Sequence, residues 1–316
     1  MLGMGGIASV FTLDSFDSVP TSLRGAFLAV GNFDGVHRGH ARLIARLRAR
    51  AAAAKAPAVA LTFDPPPAAL LRPDSAPKPL SWTARKVELL KEAGADDVGV
   101  FRTGTWLLGL TAREFFDRVV IGQFAARGMV EGPTFGFGRD RGGDSALLET
   151  WCAGSGLNFE VVAPTELGGR LISSSRIRAA LAEGRVDEVA DLLGRPYRLR
   201  GRVVRGEGRG ATIGFPTANL AGIDTQVPAD GVYAARARIE GDPAWCASAA
   251  HIGPNATFGA TDRTVEVHVI DFAGDLYGRT IELDVIHRLR PTRKFAGVDE
   301  LIAQIEADTE EARRSL

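Results

Sequence analysis

Apolar and polar positions along the first part of the chain predict strands and helices in turn. Apolar runs typical of buried strands lie at residues 26–30 and 58–63, and a stretch with helical periodicity follows each of them. The remaining predicted elements of this part are helix 39–55, helix 83–93, strand 97–101, helix 111–125, a strand near Met129, helix 144–153 and strand 159–163. We therefore predict an α/β domain, with a parallel sheet between helices and with ligands at the carboxyl ends of its strands.

The pattern changes after Pro196, where strand signals replace the alternation of strands and helices. Period-two stretches punctuated by Gly and Pro occupy residues 197–205, 231–239, 264–270 and 280–287, and residues 298–314 have helical periodicity. This order predicts an antiparallel β-barrel closed by a C-terminal helix. We place the domain boundary near residue 186, which gives domains of residues 1–185 and 186–316.

The composition is that of a folded protein without a charge surplus. The 316 residues are 45% apolar and 24% charged, and 38 basic residues balance 38 acidic ones. Neutrality argues against a protein that coats nucleic acid, because such binding depends on a surplus of basic side chains. Three tyrosines and four tryptophans also leave few rings for stacking on bases. We expect no nucleic-acid partner.

Cysteine usage and hydropathy indicate a cytoplasmic protein. Cys152 and Cys246 form no CxxC pair, so neither a disulfide framework nor a thiolate zinc site is expected. Residues 1–13 contain no Lys or Arg and lack the charged start of a signal peptide. No apolar run approaches the ~20 residues that span a membrane. The expectation is a soluble protein, a monomer or a weak homo-oligomer, with no membrane partner.

The segment between the first long strand and its helix concentrates residues suited to phosphate binding. Residues 31–40 read Gly-Asn-Phe-Asp-Gly-Val-His-Arg-Gly-His. Glycines let the backbone approach a ligand closely, and the following helix points its N–H groups and its positive end at that ligand. Two histidines three positions apart can both face it as hydrogen-bond donors. The candidates are His37 and His40 for catalysis, and Gly31, Asn32, Phe33, Asp34, Gly35 and Gly39 for phosphate binding.

These residues also have a purely structural interpretation. The histidines would cap the helix and Asp34 would make an Asx-turn, which is the ordinary role of such residues when they occur singly. Here two histidines, an aspartate and three glycines share one strand-to-helix junction. That combination favours phosphate binding over capping alone.

A serine-rich cluster at residues 172–178, Ile-Ser-Ser-Ser-Arg-Ile-Arg, opens a later helix. Serines in this position satisfy the first N–H groups of a helix, but hydroxyls and guanidinium groups also clamp β- and γ-phosphates. Taken alone the two interpretations are equal, and beside residues 31–40 we favour the clamp. Its candidate residues are Ser173, Ser174, Ser175, Arg176 and Arg178. A P-loop is excluded because no lysine follows a glycine.

The second domain carries a glycine-rich loop, residues 205–215, which alone would be weak evidence of binding. Thr217 and Asn219 follow the loop and face the same side of an extended segment. Their side-chain oxygens suit an Mg²⁺ ion shared with ATP phosphates, and they are the candidate metal residues. The candidate ATP-binding residues of the loop are Gly206, Arg209, Gly210, Gly214, Phe215 and Pro216.

The strand at residues 264–272 alternates cleanly and places Glu266 and His268 on the face opposite its valines. A carboxylate on such a face is commonly solvated. If that face lines the mouth of the barrel, Glu266 is the candidate general base for a substrate hydroxyl that attacks a γ-phosphate.

Together these motifs resemble the bacterial bifunctional riboflavin kinase/FAD synthetase family over nearly the whole chain. The similar segments occur in the family's order at residues 31–40, 62–65, 172–178, 192–197, 214–219, 230–233, 266–268 and 274–278. The resemblance implies a Rossmann-like nucleotidyltransferase domain with a parallel sheet, followed by a riboflavin kinase barrel with a terminal helix.

The resemblance also implies two reactions, with ATP, riboflavin and FMN as partners and Mg²⁺ bound with ATP. The ribityl hydroxyl of riboflavin attacks the γ-phosphate of ATP in the barrel, with Glu266 as base and with Thr217 and Asn219 at the metal and phosphates. In the first domain FMN attacks the α-phosphate of a second ATP and gives FAD and pyrophosphate. His37, His40, Ser174 and Arg178 would hold that triphosphate. Flavins are then substrates and products rather than cofactors.

Some positions depart from the family pattern. They are Pro66 for a histidine, Thr134 for Asp or Asn, Ala211 for an arginine, His251 for an asparagine, Ala256 for a proline and Thr292 for a glutamate. The first two remove polar groups from the first domain, so one alternative is a riboflavin kinase with a degenerate or repurposed first domain. Another is a non-catalytic flavin or nucleotide sensor, against which the intact Glu266, Thr217 and Asn219 argue.

Overall fold

The structure is a computed structural model that describes residues 10–16, 19–206, 208–254 and 263–316. The described residues divide into two compact units, each with its own core. The first unit comprises Met1–Pro77 and Trp82–Ile172, and the second comprises Lys78–Ser81 and Ser173–Leu316. Residues 173–185 fall in the second unit, and the predicted boundary at residue 186 stays a prediction.

The first unit is built on a parallel sheet. The strands of this unit are β1 (Val10–Leu13), β2 (Phe27–Val30), β3 (Ala58–Asp64), β4 (Asp97–Arg102), β5 (Gly128–Glu131), β6 (Gly136–Phe137), β7 (Gly143–Asp144), β8 (Asn158–Val161), β9 (Glu166–Leu167) and β10 (Arg170–Leu171). Within the described ranges, six of them form one sheet in the order β1-β4-β3-β2-β5-β8, and each pairing is parallel. The short strands pair as antiparallel ribbons, β6 with β7 and β9 with β10.

The helices of the first unit connect these strands. They are α1 (Arg38–Ala53), α2 (Pro67–Leu71), α3 (Thr83–Glu92), α4 (Thr105–Leu108), α5 (Ala112–Phe115), which continues as a π-helical segment over Phe116–Gln123, and α6 (Ser145–Gly154). Single 3₁₀ turns occupy Thr21–Leu23, Pro73–Ser75 and Arg139–Arg141. A capping box opens α5, where the Thr111 side chain accepts from Glu114 N and the Glu114 carboxylate accepts from Thr111 N.

Strand alternation divides the apolar side chains of the sheet between its two faces. On one face Phe27 and Ala29 of β2 pack with Ile44 and Leu47 of α1 and with Leu90 of α3. The opposite face has its own core, which includes Leu28, Val30, Met129, Phe116 and Cys152. Because β2 and β5 are covered on both faces, ligands can reach these strands from their ends and not across the sheet.

The second unit begins with a helical pair and continues as a barrel. Its elements are α7 (Ser174–Ala182), α8 (Val186–Leu193), β11 (Tyr197–Val204), α9 (Arg209–Thr212), β12 (Ala218–Ala221), β13 (Gly231–Ile239), β14 (Trp245–Pro254), β15 (Arg263–Val269), β16 (Thr280–Arg290) and α10 (Val298–Arg314). In the described part of this unit, six strands close an antiparallel barrel in the order β11-β12-β15-β14-β13-β16.

Helix α10 packs against the barrel through both apolar and charged contacts. Its fully buried Ala312 joins Ala234 and Ile270 in a small apolar cluster. The guanidinium of Arg290, at the end of β16, forms a bidentate ion pair with Asp308 of α10, and its Nη2 lies 2.7 Å from Oδ2. Arg313 forms a second pair with Asp271 after β15, at 2.6 Å. The helix is therefore fixed at two positions along its length.

The fold class predicted from the sequence is confirmed in both units. The structure adds strands that the pattern did not predict, above all β12 and β14 of the barrel. None of the helices in the described ranges combines the length and the apolarity that crossing a bilayer requires.

Candidate active sites

The histidines predicted for phosphate binding lie together at the junction of β2 and α1. The His37 and His40 rings stack with centroids 3.7 Å apart and planes 15° apart. His37 is also the N-cap of α1, where its Nδ1 accepts a hydrogen bond from His40 N at 3.3 Å. A neutral His37 ring therefore carries its proton on Nε2. Capping does not exclude ligand binding, because the capping hydrogen bond uses Nδ1 and not Nε2.

Two positions of this turn require a glycine, one for its backbone conformation and one for lack of space. Gly35 has φ +76°, a left-handed conformation that glycine adopts without strain. A Cβ on Gly39 would lie 3.1 Å from Nδ1 and Cε1 of His37, so a larger residue would press on the capping ring. The other predicted residues of the turn lie on the same segment: Gly31, Asn32, Phe33 and Asp34. Of these, Phe33 meets the His40 ring edge-on with centroids 5.3 Å apart, and Asp34 is buried.

Two buried ionisable residues beside this turn were not predicted from the sequence. Lys86 of α3 is 3% exposed, and burial lowers its pKa against the opposing effect of Asp34 and Asp64. Glu131 of β5 is 2% exposed, and burial raises its pKa well above the ordinary value against a hydrogen bond from Val30. Each residue could have been found as a charged position among apolar ones. Lys86 lies on the buried face of α3, and Glu131 follows Met129 and Val130 on β5.

The predicted serine–arginine clamp is the start of α7, in the second unit. Ser173 is the N-cap, and its Oγ accepts from Arg176 N at 3.2 Å. The Arg176 guanidinium pairs with Glu188 of α8 at 2.9 Å, and Arg178 Nε donates to the carbonyl of Lys78 at 3.1 Å. Ser174 and Ser175 lie in the first turn of the helix. The joint action of this cluster with the histidines of the first unit stays a prediction.

A cavity of about 920 Å³ opens in the second unit between the glycine-rich loop, the barrel strands and α10. Its walls include the predicted residues Gly206, Gly210, Phe215, Thr217, Asn219 and Glu266. Arg290, Arg293 and Lys294 add positive charge to the lining, and Phe295 and Leu301 add apolar surface. The cavity is large enough for a drug-sized ligand. Pockets of this size typically have mainly apolar walls and a few polar groups that orient the ligand.

Strand pairing places the candidate metal residues beside the candidate base. Asn219 of β12 is directly opposite Glu266 of β15. The Thr217 hydroxyl donates to Glu266 Oε2 at 3.5 Å. The Thr264 hydroxyl lies 3.3 Å from Oε1 and 3.2 Å from the Gly253 carbonyl, so these two acceptors share its single proton. Two hydroxyl groups therefore adjoin the carboxylate at the cavity wall.

The glycine-rich loop folds tightly over this group. A Cβ on Gly206 would overlap the Asn219 amide, and a Cβ on Gly210 would overlap the Phe215 carbonyl, so neither position has room for a side chain. Gly214 has φ +90°. The carbonyl of Pro216 accepts from His268 Nδ1 at 2.9 Å. Arg209 begins α9, and its side chain lies outside the described part of the structure.

His251 is a further residue of the cavity wall, singled out in the sequence only as a departure from the family pattern. It lies opposite Glu266 in the pairing of β14 with β15. Burial lowers the pKa of His251, and the nearby Glu266 carboxylate opposes that effect. Of the other departures, Thr292 lines the same cavity, Ala211 is in α9, Pro66 is the N-cap of α2 and Ala256 lies outside the described residues. The Thr134 carbonyl accepts from Arg141 at 3.2 Å.

The described side chains of these sites do not form a metal site by themselves. Among the residues that the structure describes, no group of three or more His, Cys, Asp or Glu side chains is placed to hold a metal ion. Thr217 and Asn219 supply neutral oxygen atoms next to a carboxylate. Such a set suits a hard cation that takes its remaining ligands from phosphate and water.

A parallel-sheet domain with a glycine- and histidine-rich turn after a central strand, followed by a barrel with a carboxylate in its cavity wall, fits the class of nucleotide-dependent transferases. Two family models divide the chain, FAD synthetase over residues 19–176 and riboflavin kinase over residues 193–316. The chain is 37% identical over 291 residues to the bifunctional riboflavin kinase/FMN adenylyltransferase of Pseudomonas fluorescens, covering 92% of this chain and 93% of that protein. The Escherichia coli K12 protein of the same description is 36% identical, with 92% of each chain covered.

The chain therefore belongs to the bifunctional riboflavin kinase/FMN adenylyltransferase family. Among solved structures, it is similar to a crystal structure described as a macrolide-efflux protein from Streptococcus pneumoniae. That similarity has a TM-score of 0.85 and 32% sequence identity, and it covers 96% of this chain and 98% of the other.

Proposed function

We propose that the chain phosphorylates riboflavin to FMN in its second domain and adenylylates FMN to FAD in its first. Membership of the bifunctional family supports both activities. The observation that carries the kinase assignment is the meeting of Glu266, Thr217 and Asn219 in the wall of a cavity that also has basic residues. We keep the predicted division at residue 186 as part of this proposal.

In the kinase step Glu266 is the general base. Its carboxylate takes the proton of the ribityl hydroxyl as the hydroxyl oxygen bonds to the γ-phosphorus of ATP. The bond between that phosphorus and the β,γ-bridging oxygen breaks, and ADP leaves with the bridging oxygen. The hydroxyls of Thr217 and Thr264 orient the carboxylate through their hydrogen bonds. Arg293 and Lys294 of the cavity lining stabilise the charge of phosphate groups, whereas Arg290 is held by its ion pair with Asp308.

Mg²⁺ is the cofactor that we propose for this site, and Thr217 Oγ1 and Asn219 Oδ1 would hold it together with phosphate oxygens. When bound, the ion neutralises phosphate charge and polarises the γ-phosphoryl group. The tight packing of Gly206 against Asn219 keeps the amide in place for this role.

In the adenylyl step the phosphate of FMN attacks the α-phosphorus of ATP. A new P–O bond joins the two nucleotides, and the bond to the β-phosphate breaks to release pyrophosphate. His37 and His40 donate hydrogen bonds to the phosphates at the start of α1, where the helix dipole also favours negative charge. Ser174 and Arg178 complete the grip on the triphosphate. The reaction needs no covalent enzyme intermediate, since positioning and charge stabilisation lower the barrier.

The test is a chromatographic time course of purified protein with riboflavin, excess ATP and Mg²⁺. The proposal expects FMN to form first and then to convert to FAD. A reaction that stops at FMN would leave a kinase whose first domain is degenerate or repurposed, consistent with the losses at Pro66 and Thr134. Formation of neither product would overturn the enzyme assignment in favour of a flavin or nucleotide sensor. Size-exclusion chromatography and cell fractionation test the accompanying proposals of a monomer or weak homo-oligomer in the cytoplasm.

A further inference from the structure

The turn that carries His37 and His40 follows the carboxyl end of β2. At this end β2 stops pairing with β5 before it stops pairing with β3. Pairing with β3 continues to Val30, which lies opposite Leu61. Pairing with β5 stops at Leu28, which lies opposite Met129. Beyond that point the Val30 N–H donates to the side chain of Glu131, at 2.8 Å from Oε1. A carboxyl group therefore replaces the backbone acceptor that a continuing strand would supply.

This replacement occurs at the switch point of the sheet. From β2 the chain proceeds to β3 and β4 on one side, and the later strands β5 and β8 lie on the other. Ligands of open α/β sheets bind in the crevice at the carboxyl ends of strands that flank such a point. Glu131 ends β5 and thus lies at the base of that crevice, beside the start of the phosphate-binding turn.

Burying a carboxyl group costs free energy unless its oxygen accepts a hydrogen bond that the fold requires. Glu131 is 2% exposed, and burial raises its pKa well above the ordinary value, which reflects the cost of burying a charged carboxylate. An apolar residue here would avoid that cost but would leave the Val30 N–H without a partner. The hydrogen bond to the backbone is the interaction that the structure shows for the group, so it is the function that the carboxyl can serve.

The segment Val30–Asn32 is also held from the side of β3, by a series of buried hydrogen bonds. Lys86 Nζ donates to Thr62 Oγ1 at 3.4 Å and to the Phe63 carbonyl at 3.3 Å. The Thr62 hydroxyl in turn donates to the carbonyl of Asn32 in the turn, at 3.2 Å. Thr62 is 0% exposed and Lys86 is 3% exposed, so water does not compete for these bonds.

We propose that Glu131 is a positioning residue for adenylyl transfer, which fixes the Val30–Asn32 segment from β5 while Thr62 and Lys86 fix it from β3 and α3. This inference rests on the proposed function of the first domain. The segment joins β2 directly to the turn that carries His37 and His40. Holding its N–H and its carbonyl from two sides sets the position of the histidine donors relative to the phosphates.

The consequence of losing either contact is a displaced turn rather than a lost ligand. A misplacement of ~1 Å in a positioned catalytic group costs up to about a hundredfold in rate. We expect Glu131→Leu to lower kcat for FAD formation by about 10- to 100-fold, with the KM for FMN unchanged. Glu131→Gln keeps an oxygen acceptor in the same place and should restore the rate to within about threefold of the wild type.

The experiment compares four variants of the full chain: Glu131→Leu, Glu131→Gln, Thr62→Val and Met129→Ala. Thr62→Val removes the hydroxyl with little change of shape, so it should fold and should lower kcat for FAD formation by about tenfold. Met129 lies two residues before Glu131 on β5 and is buried in the apolar core of the sheet, and its thioether is only a weak hydrogen-bond acceptor. Met129→Ala therefore controls for loss of packing. Each variant is assayed for FAD formation from FMN, for FMN formation from riboflavin and for its melting temperature.

Support requires a loss of FAD formation in Glu131→Leu and Thr62→Val, its recovery in Glu131→Gln, and unchanged FMN formation throughout. The inference is overturned if Glu131→Leu retains the wild-type rate, if Glu131→Gln is as slow as Glu131→Leu, or if Met129→Ala is equally slow. If Glu131→Leu does not fold, Thr62→Val decides alone, and a wild-type rate in that variant overturns the inference. A wild-type chain that forms no FAD would instead refute the proposed function of the first domain.

Discussion

The role of Glu266 as general base is tested most sharply by Glu266→Gln. The substitution keeps the size of the side chain and one oxygen acceptor for the hydroxyl of Thr264 or of Thr217, which lie 3.3 and 3.5 Å from the two carboxylate oxygens. The other hydroxyl then meets the amide NH2 group, from which it can accept. It leaves Asn219 opposite on β12 and opens no space in the cavity wall. The variant should therefore bind its substrates but lack the proton acceptor.

The size of the effect follows from this single missing function. General bases contribute about 10²- to 10⁴-fold to rate, so kcat for FMN formation should fall by that factor. At about 1.36 kcal/mol for each factor of ten, the loss of transition-state stabilisation is about 2.7 to 5.4 kcal/mol. The KM for riboflavin should change little, because the group acts on the transferring proton rather than on the bound flavin.

The assay measures FMN by chromatography, with FAD formation from added FMN as the internal control for folding. A matched control is Glu282→Gln on β16, because Glu282 pairs with Arg198 and Arg238 and is not part of the cavity wall. Since Glu282, Arg198 and Arg238 do not line the cavity, the control should phosphorylate riboflavin at the wild-type rate. A Glu266→Gln enzyme within about fivefold of the wild type would refute the general-base role.

Substitutions at Gly39, Asp308 and His251 test the start of α1, the attachment of α10 and the wall of the cavity. Gly39→Ala places a Cβ 3.1 Å from the His37 ring, so FAD formation should fall by about tenfold while FMN formation is unchanged, and equal rates would contradict the packing argument. Asp308→Ala leaves the guanidinium of Arg290 without its carboxylate, which should lower the free energy of unfolding by about 3 kcal/mol in urea titrations, and an unchanged midpoint would show that the pair is dispensable. His251 has a lowered pKa in the folded chain, so the unfolded chain binds the extra proton and stability should fall as pH drops through about 6.5. His251→Asn should reduce that acid-side loss of stability, measured by unfolding at about pH 7 and about pH 5, and an identical loss would contradict the pKa direction.

The fold was predictable where apolar periodicity and end signals coincide. Helix α10 matches its predicted range of residues 298–314, because an amphipathic repeat follows Gly297 without a break. Strand β14 was missed because residues 247–250 of Trp245–Pro254 are alanine or serine, in place of the β-branched residues that mark a strand. The strand forms because β13 and β15 pair with it on both sides, and this tertiary pairing outweighs its weak local preference.

The candidate sites were predictable to the extent that their chemistry lies in short segments. The turn at residues 31–40, and Asn219 and Glu266 as residues of one site, were predicted from motifs and from period-two alternation, and the structure places Asn219 opposite Glu266. The contact between Val30 and Glu131 joins residues 101 positions apart, and the register that creates it cannot be derived from either segment. The role of Lys86 could not be predicted for the same reason. Its partners Thr62 and Phe63 lie on β3, and the packing of α3 on this strand cannot be derived from either segment.

The most direct test of the central claim, that one chain carries out both transfers, follows the phosphates of ATP. Purified protein is incubated with riboflavin and Mg²⁺ and with ATP radiolabelled at either the γ- or the α-phosphate. The account predicts γ-label in FMN and in FAD, and α-label in FAD but not in FMN. Absence of γ-label from FMN would contradict the kinase assignment, and absence of α-label from FAD would contradict the adenylyltransferase assignment.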